Sequence, residues 1–191
     1  MSLVVIVDYG MGNLHSIAKA LQQVAPARTF SVTADPAAIN TAERVVLPGV
    51  GAIGDCMRHL RELNLVEVLR KAAQQKPFLG ICLGMQALFS HSTENNGVDG
   101  LDLLPGTVQR FPTSTLKVPH MGWNEVQQTQ AHPLWTDIPD NSRFYFVHSY
   151  YAPVTLACAG QTHYGLPFAA AVAQGKLFAT QFHPEKSQHA G

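Results

Sequence analysis

The chain has 191 residues, and thirteen basic side chains balance thirteen acidic ones, for a pI near 7.1. Hydrophobic residues make up 46% and charged residues 14%, which argues against disorder and for one domain, residues 1–191, with a real core. The neutral balance predicts neither a nucleic-acid partner nor a membrane surface.

Every apolar run is interrupted well short of the roughly 20 residues of a membrane span. "MSLVVIVDYG" lacks a basic leader and a cleavage site, so no signal peptide is expected. Cys56, Cys82 and Cys158 are far apart, odd in number and outside CxxC spacing. That pattern supports neither a disulfide framework nor a zinc site, and it suits a reducing cytoplasmic setting. No cofactor and no metal are expected.

In chain order, Leu3–Asp8 predicts a buried strand and Leu14–Val24 a helix. Arg28–Thr33 is a second strand, Asp35-Pro36 starts a short helix, and Arg44–Pro48 is a third strand. Asp55 is expected to open one long helix to about Gln75, with Met57, Leu60, Leu63 and Leu65 in the core. Pro77–Ile81 predicts a fourth strand and Leu83–Phe89 a helix. This alternation implies a mostly parallel central sheet between helical layers, hence an α/β fold. The second half predicts antiparallel strands: Gly106–Phe111, Asn124–Gln128, Arg143–Tyr151 and Leu156–Tyr164, then a hairpin over Phe168–Phe182 around Gly175-Lys176.

"GVGAIG" (residues 49–54) matches the G-x-G-x-x-G of a dinucleotide loop. A dinucleotide site also needs a following strand that ends in an acidic residue for the ribose. Here the next strand ends at Cys82, flanked by Gly80 and Gly84 as G-x-C-x-G. This is the thiol form of the nucleophile elbow. "QFHPEKS" supplies the partners: His183 as base and Glu185, two residues on in an extended segment, as its orienter. The elbow could also be a buried structural cysteine, and H-P-E taken alone reads as an ordinary turn; together they favour a Cys-His-Glu triad. A thioester mechanism needs N–H donors for its oxyanion, and Pro48–Gly51 ends the strand beside the cysteine strand. The glycine-rich loop therefore reads as an oxyanion strand.

"LPGVGAIGD", "GICLGMQ" and "QFHPEKS" resemble the class I glutamine amidotransferases, and the resemblance spans nearly the whole chain. "DYGMGNL", "PHMGWN" and "YFVHSYY" narrow it to the glutaminase subunits that serve a (β/α)₈-barrel cyclase in histidine biosynthesis. The resemblance implies a three-layer fold, glutamine hydrolysis to glutamate and ammonia, and a heterodimer with that cyclase. It implies that Cys82 is the nucleophile, with His183 and Glu185 completing the triad, and that Val50 and Leu83 give the oxyanion N–H groups. It places Gly49, Gly51, Gln86, Glu94, His148, Ser149 and Tyr150 around glutamine, with Glu94 on the α-amino group. It puts Pro119, His120, Met121, Trp123, Asn124 and Lys186 at the partner surface. It also implies a closing helix after "HPEKS", whereas the sequence ends six residues after Glu185.

Three further expectations stay open at this level, one of them a non-enzymatic binding module in which the triad is vestigial. A glutaminase of another amidotransferase, of the anthranilate or pyridoxal synthase type, would share the triad but lack "PHMGWN" and "DYGMGN". A flavodoxin-like elbow-cysteine protease or chaperone would not need the late H-P-E. Because an unregulated glutaminase wastes glutamine, the Val50 N–H is expected to point away from the oxyanion position until the partner is loaded. Gly49 and Gly51 permit that peptide to rotate.

Overall fold

The computed structural model describes residues 3–113 and 116–191. Strand β1 (Leu3–Val7) alternates between two cores. Val4 and Ile6 pack with Ile17 of helix α1 (Leu14–Val24) on one face. Val5 and Val7 pack in a second cluster with Ile39 of α2 (Pro36–Thr41), Met57 and Leu60 of α3 (Ile53–Glu62) and Leu69 of α4 (Val66–Gln75). A strand buried on both faces is the middle of a three-layer α/β arrangement.

The strands that follow are β2 (Thr29–Thr33), β3 (Arg44–Leu47) and β4 (Phe78–Ile81). A four-residue helix, α5 (Leu83–Gln86), leads to β5 (Phe89–Ser92), β6 (Val98–Asp99) and β7 (Leu104–Arg110). Then come β8 (His120–Gln128), β9 (Ser142–His148), β10 (Tyr150–Tyr151), β11 (Cys158–His163), β12 (Pro167–Gln174) and β13 (Leu177–Thr180). The main sheet has nine strands in the order β2-β1-β3-β4-β13-β12-β11-β8-β9. Pairing is parallel from β2 through β13 and antiparallel from β13 to β9. A four-stranded sheet, β10-β7-β5-β6, lies apart from it.

This order positions the site. The last strand returns to the centre and pairs in register with the cysteine strand, Leu177 with Phe78 and Thr180 with Ile81. On the other side of β4, Leu47 of β3 pairs with Gly80. Parallel neighbours end at one edge, so residues 48–51, Cys82 and residues 181–183 emerge side by side.

Three expected elements differ: the strand expected over Arg143–Tyr151 divides at Ser149 between the two sheets, and both helices around the third and fourth strands change. The long helix is two helices. Asn64 takes a left-handed φ of +56°, Leu65 N–H bonds back to the Leu60 carbonyl at 2.8 Å, and the helix restarts at Val66. This is a Schellman-type stop with asparagine in the place glycine usually fills. It leaves Leu63 exposed and Leu65 fully buried. The first of these helices starts at Ile53 rather than Asp55. Its leading N–H groups are capped from afar, Ile53 N–H by Glu94 Oε2 at 3.0 Å and Gly54 N–H by Asn95 Oδ1 at 3.2 Å. The helix expected over Leu83–Phe89 ends at Gln86, and Phe89 starts a strand beside Leu104. A run this short and mostly apolar carries no clear period to distinguish the two forms.

Candidate active site

Cys82 sits between β4 and α5 with φ +54° and ψ −108°, a strained conformation for a non-glycine residue. The elbow is so tight that a Cβ on Gly84 would lie 1.9 Å from the Leu47 carbonyl oxygen. Only glycine fits there, which is the physical content of the G-x-C-x-G pattern.

His183 follows β13 and is held by its own N–H on the Tyr145 carbonyl at 3.0 Å. Its Nδ1 lies 2.8 Å from Glu185 Oε1, with both side chains almost wholly buried. A carboxylate oxygen accepts, so Nδ1 carries the hydrogen and Nε2 is left for other chemistry. The segment is not extended as the i, i+2 spacing suggested. Pro184–Lys186 form a single 3₁₀ turn with His183 at its cap, and the turn brings the carboxylate back under the ring. Burial opposes the imidazolium. The hydrogen bonds and charges of Cys82 and Glu185 outweigh it and raise His183 to about 9.

A cavity of about 300 Å³ opens beside these groups. Cys82 and His183 line it, as do Val50, Gly51, Leu83, Gln86, Glu94, His148, Ser149 and Tyr150. Of the residues expected around substrate, Gly49 lies behind the wall. A Cβ there would meet the Tyr9 hydroxyl at 2.5 Å. Glu185 supports His183 from outside the cavity. Gln86 is tied at its amide nitrogen, which donates to the Tyr150 carbonyl and to Gln181 Oε1, both at 2.9 Å. Glu94 bridges the cavity wall to the start of α3 through its bond to Ile53.

The Leu83 N–H, one of two expected oxyanion donors, is occupied: it donates to the Gly49 carbonyl at 3.3 Å. His148 faces the cavity through a directed chain. Its Nδ1 donates to the Tyr150 carbonyl at 2.7 Å, and its Nε2 accepts from His120 Nδ1 at 2.9 Å. Asn124 Nδ2 closes the chain on His120 Nε2 at 3.3 Å. Burial pushes His148 down to about 3 and His120 to about 4, so both rings are neutral.

The six residues expected at the partner surface divide. Met121, Trp123 and Lys186 are exposed. Pro119 lines the cavity. His120 is a correction: it is buried, stacked on Phe146 and Tyr164, because alternation along β8 turns it inward. Asn124, half-buried, shares that inward face.

Two neighbours of the site were not anticipated. Gln181 Nε2 lies 3.7 Å from Cys82 Sγ, and the Tyr9 hydroxyl donates to the Pro48 carbonyl at 2.9 Å. Gln181 had a signal, a polar residue closing an otherwise buried strand before H-P-E. Tyr9 had none beyond its place in "DYGMGN".

A thiol on a strained elbow, a buried His–Glu pair and a cavity beside them form the working parts of a cysteine acyl-transfer enzyme. The family described as glutamine amidotransferase class-I matches over residues 5–191, and the chain belongs to it. Its curated relatives include the imidazole glycerol phosphate synthase subunit HisH of Aromatoleum aromaticum, 57% identical over 100% of this chain and 94% of that protein. The subunit HisH of Methylococcus capsulatus is 58% identical over 100% of this chain and 93% of its own length. Among solved structures, one described as a glutamine amidotransferase superposes with a TM-score of 0.73 at 16% identity, covering 97% of this chain and 91% of that one, which speaks for the fold alone.

Proposed function

We propose that this chain is the glutaminase subunit of imidazole glycerol phosphate synthase, acting in histidine biosynthesis with a (β/α)₈-barrel cyclase. The full-length identity to subunits of that name carries the reading. The 300 Å³ cavity over Cys82 supports it, because a pocket of that size suits a single amino acid.

In this reading His183 Nε2 takes the thiol proton of Cys82 and the sulfur attacks the glutamine side-chain amide carbon. His183 gives its Nε2 proton to the leaving nitrogen, so ammonia departs and a glutamyl thioester remains. Water then attacks the thioester carbon while His183 Nε2 takes the water's proton. The C–S bond breaks, the electron pair returns to sulfur, and glutamate leaves. Glu185 holds the ring and favours its charged form. Val50 and Leu83 provide the oxyanion N–H groups. Glu94 takes the substrate's ammonium, a cation that needs an acidic partner when partly desolvated. Gly51, Gln86, His148, Ser149 and Tyr150 shape the pocket, with Gly49 behind it. Met121, Trp123 and Lys186 face the cyclase, and ammonia passes through the barrel rather than through solvent.

The test is glutamine hydrolysis by the chain alone and with the barrel cyclase, followed by conversion of the cyclase substrate. Glutaminase activity that rises with the cyclase and feeds imidazole formation is expected. Absence of glutamine turnover with a competent cyclase present overturns the reading.

A further inference from the structure

Gln181 is 0% exposed at the end of β13, where the four strand residues before it are also buried. An amide so placed costs about 1–3 kcal/mol for each polar group left without a partner. Both ends of this one are matched. Its Oε1 accepts from Gln86 Nε2 at 2.9 Å, and its Nε2 reaches Cys82 Sγ at 3.7 Å. Its backbone N–H is fixed on the Ala170 carbonyl at 2.8 Å. The side chain therefore has little freedom to point elsewhere.

We infer that Gln181 is a catalytic residue that donates a side-chain N–H to the nucleophilic sulfur. The inference rests on the glutaminase reading above. Cys82 is only 7% exposed, so its sulfur is poorly hydrated and its anionic form needs donors from the protein. His183 supplies one, but its Nε2 proton leaves with ammonia. Gln181 has no proton to lose and faces the sulfur throughout. Its contribution is largest when sulfur carries charge: before attack, and again when the C–S bond of the thioester breaks and the electron pair returns to Sγ. It lies behind the cavity wall, so it acts on the reacting atom without touching glutamine.

The discriminating variant is Gln181→Glu in the full chain with the cyclase bound. A carboxylate still accepts from Gln86 but offers the sulfur no N–H. We expect kcat for glutamine to fall roughly 10- to 100-fold, the range for a lost hydrogen bond to a charged group, with KM within about threefold. Alkylation of Cys82 by iodoacetamide at pH 7, located by peptide mapping, should slow by a similar factor. A folded variant with both rates within about twofold of the parent overturns the inference. If the buried carboxylate prevents folding, the parent chain decides. The side-chain amide protons of Gln181, followed by ¹⁵N NMR, should shift in Cys82→Ala; unchanged resonances overturn the inference. If the parent has no glutaminase activity yet Cys82 alkylation still depends on Gln181, the glutaminase reading fails and the donor contact stands.

Discussion

The carbonyl of Gly49 accepts the Leu83 N–H at 3.3 Å, across the top of the cysteine elbow. This bond has two consequences for an oxyanion. It occupies the Leu83 donor. In a trans peptide the N–H points opposite to the carbonyl, so the Val50 N–H is aimed away. The chain thus rests with the Leu83 donor occupied and the Val50 N–H turned away from the elbow. Rotation of the Gly49–Val50 peptide would release one donor and present the other. Tyr9 pins the preceding carbonyl, that of Pro48, at 2.9 Å and so confines the rotation to a single peptide.

We expect low glutaminase turnover by the free chain and a rise of at least 10²-fold when the cyclase binds its own ligand, the scale set by one oxyanion donor. Tyr9→Phe should reduce that stimulation ratio while costing only about 1 kcal/mol of stability, the net worth of one hydrogen bond. Steady-state rates with cyclase, with and without its ligand, provide the check. Equal rates in all conditions would rule out the peptide switch.

How far the sequence reveals this arrangement depends on where the information lies. Cys82 is legible because its glycines answer a local steric demand, and the parallel half of the sheet is legible because each strand is a short apolar run. The Leu83–Gly49 bond is a different matter: it depends on how two loops meet. The stop at Asn64 was missed because asparagine in the left-handed region leaves no mark as strong as glycine. The caps on α3 come from Glu94 and Asn95, forty-one residues away, beyond any window of local pattern. His120 was assigned outward by its motif, and only the strand register with β9 shows it facing His148.

Glu185→Gln tests the charge behind His183. An amide keeps a hydrogen bond to the ring but not the charge that favours imidazolium. kcat should fall roughly 10²-fold with glutamine KM little changed. The same substitution should change stability. A folded pKa of about 9 against the ordinary 6.5 stabilises the fold fully below 6.5, and that contribution fades as pH rises through 9. Urea unfolding at pH 6 and pH 9.5 should show a steep alkaline loss in the parent and a shallower one in the variant. Parallel curves would remove His183 as the source.

The neutral His120–His148 pair acts at the opposite end of the pH range. Both rings have folded pKa values below the ordinary 6.5, so the unfolded chain takes up protons first as pH falls. Stability should decline from about pH 6.5 toward pH 4. His120→Gln replaces the ring with an amide that can donate to His148 and accept from Asn124 without titrating. It should flatten part of the acid limb and leave stability at pH 7.5 within about 1 kcal/mol, as expected for one exchanged hydrogen bond. An acid limb as steep as in the parent would place the titration elsewhere.

Strand β8 joins the two halves of the proposed reaction. Its inward residues, His120 and Asn124, hold the chain that ends at the cavity, while Met121 and Trp123 alternate outward at 62% and 41% exposed. Trp123 packs edge-on to Tyr145 of β9, directly across the pair, with ring centroids 6.1 Å apart. Removing the indole should therefore cost the isolated fold little, since the ring is half in solvent already. A large aromatic and a methionine side by side on a fixed strand are the residue types that anchor protein interfaces. Trp123→Ala should weaken cyclase binding by 2 kcal/mol or more, roughly 30-fold in Kd, the scale of an interface hot spot. The thermal midpoint of the free chain should stay within a few degrees of the parent. Titration calorimetry against the cyclase, with coupled ammonia transfer as a second readout, measures both quantities. Binding and transfer equal to the parent would move the interface off this face of β8.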